Sequence, residues 1–269
     1  MPENRFGFIG AGRMATALAK GFVDRGLATP GQLVASDPVP LAAEQFQRAT
    51  GGRLLADNLQ VAAQADCLFL AVKPQQMGEI LAQLAGRLNQ RHLVVSVAAG
   101  VALSTIRQAL GEGPRLVRVM PNTPCLIGQG ASAYCLGPGA TPDDGQLVGK
   151  LLEAVGLALE VNEKLLDAVT GLSGSGPAFV YMIIEAMSDG GVRMGLPRDV
   201  ALALAAQTVR GAAELVLTSA QHPAVLKDQV ASPGGTTIAG LQVLETGAVR
   251  GALMAAVEAA ARRSAELGK

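Results

Sequence analysis

The chain has 269 residues, with Lys plus Arg and Asp plus Glu equal at 22 each, so no charge excess points to nucleic acid or to an acidic membrane surface. That length is enough for two domains and a sizeable buried core. Hydrophobic residues make up 49% without an evident bilayer-length run, which predicts a chain with no membrane partner.

The opening MPENRFGFIG leads into a strand without a charged-then-apolar leader, and predicts a soluble, cytoplasmic protein. RFGFIG (5–10) reads as a buried strand, and RMATALAKGFVDRG as a helix stopped at Gly26. QLVASD is a second strand, followed by a helix from about Pro38 to Thr50. DCLFLAV (66–72) and HLVVSVAAG (92–100) are continuous apolar runs, as in strands covered on both faces. RLVRVMP (115–121), the segment around ASAYCLG and LALEVNE (157–163) complete the strands. Strand–helix alternation of this kind predicts an α/β fold, a Rossmann-type, doubly wound parallel sheet over 1–163. Beyond it KLLDAVTGL, PAFVYMIIEAM, PRDVALALAAQTVRGAAELVLTS and ALMAAVEAAARRSAEL are all helical in period, so 164–269 reads as an all-α second domain.

Gly10-Ala11-Gly12-Arg13-Met14-Ala15 lies between the first strand and the first helix, where GxGxxA binds a dinucleotide. Gly10 makes the tight turn, Gly12 lets a pyrophosphate approach the backbone, and Ala15 lets helix and strand pack closely. The alternative is a glycine-rich turn without a ligand. Ser36 and Asp37 end the second strand where an adenosine ribose is read. An acid there favours the 2′-hydroxyl of NAD, and a serine tolerates the 2′-phosphate of NADP; Asp37 serves equally well as a helix cap before Pro38. Ala71-Val72-Lys73-Pro74 puts a lysine at the carboxyl end of a central strand, facing a ligand crevice or simply solvent. Ala98-Ala99-Gly100 and Met120-Pro121-Asn122-Thr123-Pro124 place small or polar groups where a nicotinamide would lie, or are plain turns.

No metal is expected, because His92 and His222 lack a second ligand at helical spacing. Cys67, Cys125 and Cys135 show no CxxC pattern, and Cys67 reads as a buried thiol. In the helical half, Gly171-Leu172-Ser173-Gly174-Ser175-Gly176-Pro177 has GxxGxG spacing. Two-domain 3-hydroxyacid dehydrogenases follow a similar pattern with a lysine and an asparagine; Val180 and Ile184 stand there, so the acid/base of an alcohol oxidation is missing. An imine, which once protonated takes hydride at carbon, suits the chain better. ASPGGTTIAGLQVLE (231–245) sets a Pro-Gly-Gly turn before a helix that Thr236 or Thr237 caps, with Ile238, Leu241 and Leu244 as its buried stripe. Free N–H groups at such a helix start suit an anion, although an ordinary helix start reads the same way.

GFIGAGRMA, AVKP, VRVMPNTP, TGLSGSGPAF and above all LKDQVASPGGTTIAGLQVLE together resemble the pyrroline-5-carboxylate reductases, along the whole length of the chain. The resemblance implies hydride reduction of 1-pyrroline-5-carboxylate to L-proline, the last step of proline biosynthesis, with NADPH or NADH. It implies that Gly10, Ala11, Gly12, Arg13, Met14, Ala15, Ser36, Asp37, Asn58, Ala71, Val72, Lys73, Pro74 and Ala99 hold the cofactor. Ser232, Gly234, Gly235, Thr236 and Thr237 would hold the substrate, with Asn122 and Ser175 beside it and Thr237 and Lys73 as catalytic groups. It implies that 164–269 binds substrate and forms an interlocked homodimer, assembled further into a form such as a decamer. Some relatives carry a glutamate where this chain has Ala220, so no essential acid is expected there. The competing readings are a 3-hydroxyacid dehydrogenase and a non-catalytic NAD(P)-binding regulator.

Overall fold

The computed structural model describes residues 4–267; the extreme N-terminal residues on which the leader reading partly rests lie outside them. One compact unit comprises Met1–Ser175 together with Glu258–Lys269, and a second comprises Gly176–Val257.

The first unit is built on one eight-stranded sheet of order β3-β2-β1-β4-β5-β6-β7-β8. The strands are β1 (Phe6–Ile9), β2 (Leu33–Ser36), β3 (Arg53–Leu54), β4 (Cys67–Leu70), β5 (Leu93–Ser96), β6 (Arg115–Met120), β7 (Gly130–Leu136) and β8 (Gly156–Glu160). Between them lie α1 (Arg13–Asp24), α2 (Pro40–Thr50), α3 (Asn58–Gln64), α4 (Met77–Leu84), α5 (Leu103–Leu110) and α6 (Pro142–Glu153), with the short α7 (Leu166–Val169) after β8. Each central strand divides its side chains between two cores. On β4, Cys67 and Phe69 face the core with α1, α2 and α6, while Leu68 and Leu70 face the one with α3, α4 and α5. Burial on both faces explains why these strands read as unbroken apolar runs. Phe8 and Phe69 stack at 4.9 Å between ring centroids, with Phe22 and Phe46 tilted against Phe8.

The sheet departs from the expected parallel order at one place. β6 and β7 pair antiparallel, and β8 is parallel to β7, so the last two strands run against the others. The link 121–129 contains only a short 3₁₀ turn, too little chain for a crossover helix, and a reversal is the connection it permits. The helix expected from Pro38 starts at Pro40, because the Asp37 carboxylate takes the Val39 N–H at 2.8 Å and holds a turn there.

The second unit contains α8 (Gly176–Arg193), α9 (Arg198–Ser219), α10 (Pro223–Val230), α11 (Thr236–Thr246) and the first part of α12 (Val249–Leu267), up to Val257. α8 and α9 pack where Gly191 leaves room for Ala201, and Arg198 bridges Ser188 and Asp189. Within Gly176–Val257 only Ser188, Ala201 and Ala205 are buried. The stripe expected to be buried on α11 is a correction: Ile238 is 48% and Leu244 51% exposed. The reading of no bilayer-length segment also needs correction, since Arg198–Ser219 is long and apolar enough to cross a membrane by length and composition. Its leucines and valines supply most of that hydropathy, and most of its surface is uncovered.

Candidate active site

The carboxyl ends of the parallel strands gather the first group of site residues. Gly10 leaves β1 with φ +89°, and a Cβ there would lie 2.7 Å from the Ala71 carbonyl oxygen, so only glycine makes this turn. Its N–H bonds the Ser36 carbonyl at 2.9 Å, which ties the turn to the end of β2. Gly12 caps α1 in an extended conformation without a side-chain partner, no acid occupies the first helical turn, and a Cβ on Gly12 would meet nothing within 4 Å. The first N–H groups of α1 therefore face open space at the positive end of a helix. A pyrophosphate fits there.

Asp37 does not cap α2, whose N-cap is Val39; its carboxylate takes two backbone N–H groups instead. Oδ2 accepts the Ala11 N–H at 2.7 Å and Oδ1 the Val39 N–H at 2.8 Å, so it braces the glycine turn from the end of β2. Ser36 donates to Asn58 Oδ1 at 2.7 Å, and Asn58 Nδ2 donates to Gln83 Oε1 at 2.7 Å. Asn58 itself begins α3, whose cap is Asp57. Gln83, a partner fixing Asn58 from α4, was not singled out by sequence; nothing in linear spacing connects it to a ribose subsite. Ala71, Val72, Lys73 and Pro74 follow β4, with the Ala71 N–H held by the Ile9 carbonyl at 2.8 Å and the Lys73 side chain exposed. Ala99 lies just beyond β5 and is half-buried. The residues expected to hold a dinucleotide are thus brought together in the first unit.

Asn122 lies just after β6. Its side chain is buried, and both ends of its amide are bonded to backbone, at Ala131 and Ser173. A second feature missed by sequence is the buried Arg118 of β6. It bonds Glu163 at 3.2 Å, Glu163 accepts the Leu103 N–H at 2.7 Å, and Asp167 accepts the Ser264 hydroxyl at 2.7 Å, joining β6, α5, α7 and the end of α12. Burial pushes all three thiols up, Cys135 to about 11, so none is a thiolate nucleophile at neutral pH. Burial also lowers the His92 pKa, and the neutral ring accepts the Asn89 N–H on Nδ1 at 3.0 Å. Among the described residues no cluster suited to a metal occurs.

In the second unit, Ser232 to Gly235 form a turn closed by the Gly235 N–H on the Ser232 carbonyl at 3.0 Å, with Pro233 second and Gly234 third at φ +66°. This is the placement a type II turn demands. It corrects the expected threonine cap: Gly235 caps α11, Thr236 is its first residue, and no side chain takes up the leading N–H groups. Thr237 follows in the first turn, half-buried. The loop thus offers unclaimed N–H donors at a helix start with a hydroxyl beside them.

A glycine turn braced by the second strand and a separate all-helical part define a two-part NAD(P)-dependent oxidoreductase. Residues 5–100 match the family profile described as NADP oxidoreductase, coenzyme F420-dependent, and residues 163–267 match that of pyrroline-5-carboxylate reductase dimerisation. A pyrroline-5-carboxylate reductase of Methanosarcina acetivorans is 48% identical over 269 residues, covering 100% of both chains. Among solved structures, the Plasmodium falciparum pyrroline carboxylate reductase with NADP bound superposes with TM-score 0.91 at 34% identity over 100% of both chains. The pyrroline-5-carboxylate reductase of Coxiella burnetii does so with TM-score 0.92 at 35% identity over 99% of each. The chain belongs to the pyrroline-5-carboxylate reductase family. It is an oxidoreductase of the CH–NH class that uses NAD(P)H.

Proposed function

We propose that this chain reduces 1-pyrroline-5-carboxylate to L-proline in a soluble, cytoplasmic homodimer, with 1–163 binding the cofactor and 164–269 binding substrate and the partner chain. The observation that carries the reading is the Ser232–Thr237 turn: a rigid loop, a helix start with free N–H donors and one hydroxyl, a set that matches a small ring bearing a carboxylate and a nitrogen. Ser232, Gly234, Gly235 and Thr236 hold the carboxylate, largely through backbone N–H groups. The Thr237 hydroxyl accepts a hydrogen bond from the protonated ring nitrogen and so orients the imine carbon. Ser175 stands beside the ring, and Lys73 brings positive charge to the cofactor crevice.

NAD(P)H, when bound, supplies the hydride. Gly10, Ala11, Gly12, Arg13, Met14 and Ala15 receive its pyrophosphate, Ser36, Asp37 and Asn58 its adenosine ribose, and Ala71, Val72, Lys73, Pro74 and Ala99 line its nicotinamide half. The chain's contribution is orientation and electrostatic fixing of the carboxylate. We propose that these dimers assemble further, into a decamer. Thr237→Ala should lower turnover while cofactor affinity stays nearly intact, because one hydrogen bond to a charged group near the transition state is worth about 1.5–3 kcal/mol, roughly ten- to hundredfold in rate. Wild-type turnover by that variant, followed as NADPH consumption, would remove Thr237 from the mechanism.

A further inference from the structure

The link after β6 and the turn before α8 are built into each other. Asn122 follows β6 and is 7% exposed. Its Oδ1 accepts the Ala131 N–H at 2.9 Å, and its Nδ2 donates to the Ser173 carbonyl at 3.0 Å. The two backbone partners fix the orientation of the amide, since one can only donate and the other only accept. Both ends of the side chain are therefore engaged within the protein.

Ser173 lies in Thr170–Gly174, a π-helical turn closed by the Ser175 N–H on the Thr170 carbonyl at 2.8 Å. A π-turn is rare, and single ones concentrate at functional sites because they re-aim the residues that follow. This one directs its own hydroxyls to local carbonyls: Thr170 donates to Leu166 at 2.8 Å and Ser173 to Val169 at 3.1 Å. Two residues at the end of β6 hold it from outside. Met120 occupies the space beside Gly174, where any Cβ would overlap its methyl group. Asn122 holds the Ser173 carbonyl.

We propose that Asn122 is a positioning residue for the reduction: it touches neither substrate nor cofactor, and fixes the π-turn that sets Ser175 in place. The proposal rests on the reading of Ser175 as a neighbour of the substrate. A polar side chain with fixed donor and acceptor ends explains why an asparagine, rather than an apolar residue, fills this buried position. Losing the Ser173 contact frees the turn, whereas the Ala131 contact only secures the start of β7.

Asn122→Asp separates the two arms, because a carboxylate still accepts from Ala131 but has no proton to donate to Ser173. Asn122→Ala removes both arms. KM for pyrroline-5-carboxylate, kcat and the NADPH dissociation constant are measured for each, beside Ser175→Ala. A lost hydrogen bond of this kind is worth about a tenfold change in an equilibrium constant, so both Asn122 variants should raise KM by about tenfold with NADPH binding unchanged. Unchanged KM in both variants overturns the proposal. So does a fall in kcat with KM unchanged, which is the mark of a smaller folded fraction. Asn122→Ala keeps the test decisive if Asn122→Asp fails to fold. A raised KM in the Asn122 variants beside a wild-type KM in Ser175→Ala overturns the reading of Ser175 and, with it, the route from Asn122 through that residue. A raised KM in Ser175→Ala beside wild-type Asn122 variants overturns only the positioning role.

Discussion

The first unit closes on itself, and the second does not. Around the sheet, side chains such as Phe6, Phe8, Phe22, Leu18, Leu33 and Leu68 are almost wholly out of solvent. Between Gly176 and Val257 the helices bury three small residues and leave Leu217 73% and Val243 70% exposed. Each large apolar side chain is worth about 1.5–3 kcal/mol when taken out of water, so a unit that buries so few cannot hold its helices by its own packing. Its missing core is supplied from outside the chain, in keeping with the dimerisation profile over 163–267. The difference teaches that the first unit is a finished domain and the dimerisation part is half of one.

The largest expected effect comes from charging the exposed faces. Leu217→Glu combined with Val243→Glu would set carboxylates in a buried apolar contact, at a cost of several kcal/mol per ion. Sedimentation should show monomers and the assay a loss of nearly all activity, while NADPH binding, which belongs to the first unit, persists. An intact dimer of wild-type activity would erase the contrast between the two regions.

Within the first unit, two glycines separate folding from binding. Gly10→Ala forces a left-handed angle, costing about 1–2 kcal/mol before its clash with the Ala71 carbonyl is counted, and should lower the melting temperature. The Cβ of Gly12→Val meets nothing within 4 Å, and the change forfeits only about 1 kcal/mol of capping preference. It should instead weaken dinucleotide binding by roughly tenfold or more, since its side chain fills the approach to the helix start. Equal losses of stability in the two variants would count against an open crevice at Gly12.

The smallest effect concerns Asp37. Both NADPH and NADH should serve, with NADPH somewhat preferred, and Asp37→Ala should move the ratio of their efficiencies further toward NADPH by a few-fold, on the order of one screened charge at close range. An unchanged ratio would leave Asp37 with only its bonds to Ala11 and Val39.

The contrast between the two units also decides what the sequence revealed. Strands buried on both faces announce themselves as apolar runs, and Gly10 and Gly12 stand in GxGxxA spacing between a strand and a helix, so the sheet and its glycine turn were legible. The reversal of β7 was not, because the length of a connection carries orientation only once both strand ends are known. The stripe Ile238, Leu241 and Leu244 was legible as apolar, but which surface covers it depends on a second chain. Asn122 was visible as a polar residue after a strand, yet its partners Ala131 and Ser173 are distant in sequence, and Gln83 reaches Asn58 only through the packing of α4 beside α3.

The most direct test of a finished half joined to an unfinished one is whether one site draws on two chains. Gly12→Val and Thr237→Ala are each prepared, mixed, and allowed to exchange subunits, with exchange followed by differently tagged chains. If Lys73 and the glycine turn of one chain work with Thr237 of its partner, every mixed dimer holds one doubly damaged and one intact site. Random pairing in a closed two-fold dimer makes half the dimers mixed, so about a quarter of wild-type activity should return. Proven exchange with no rise in activity would contradict the shared site and place the whole reaction within a single chain.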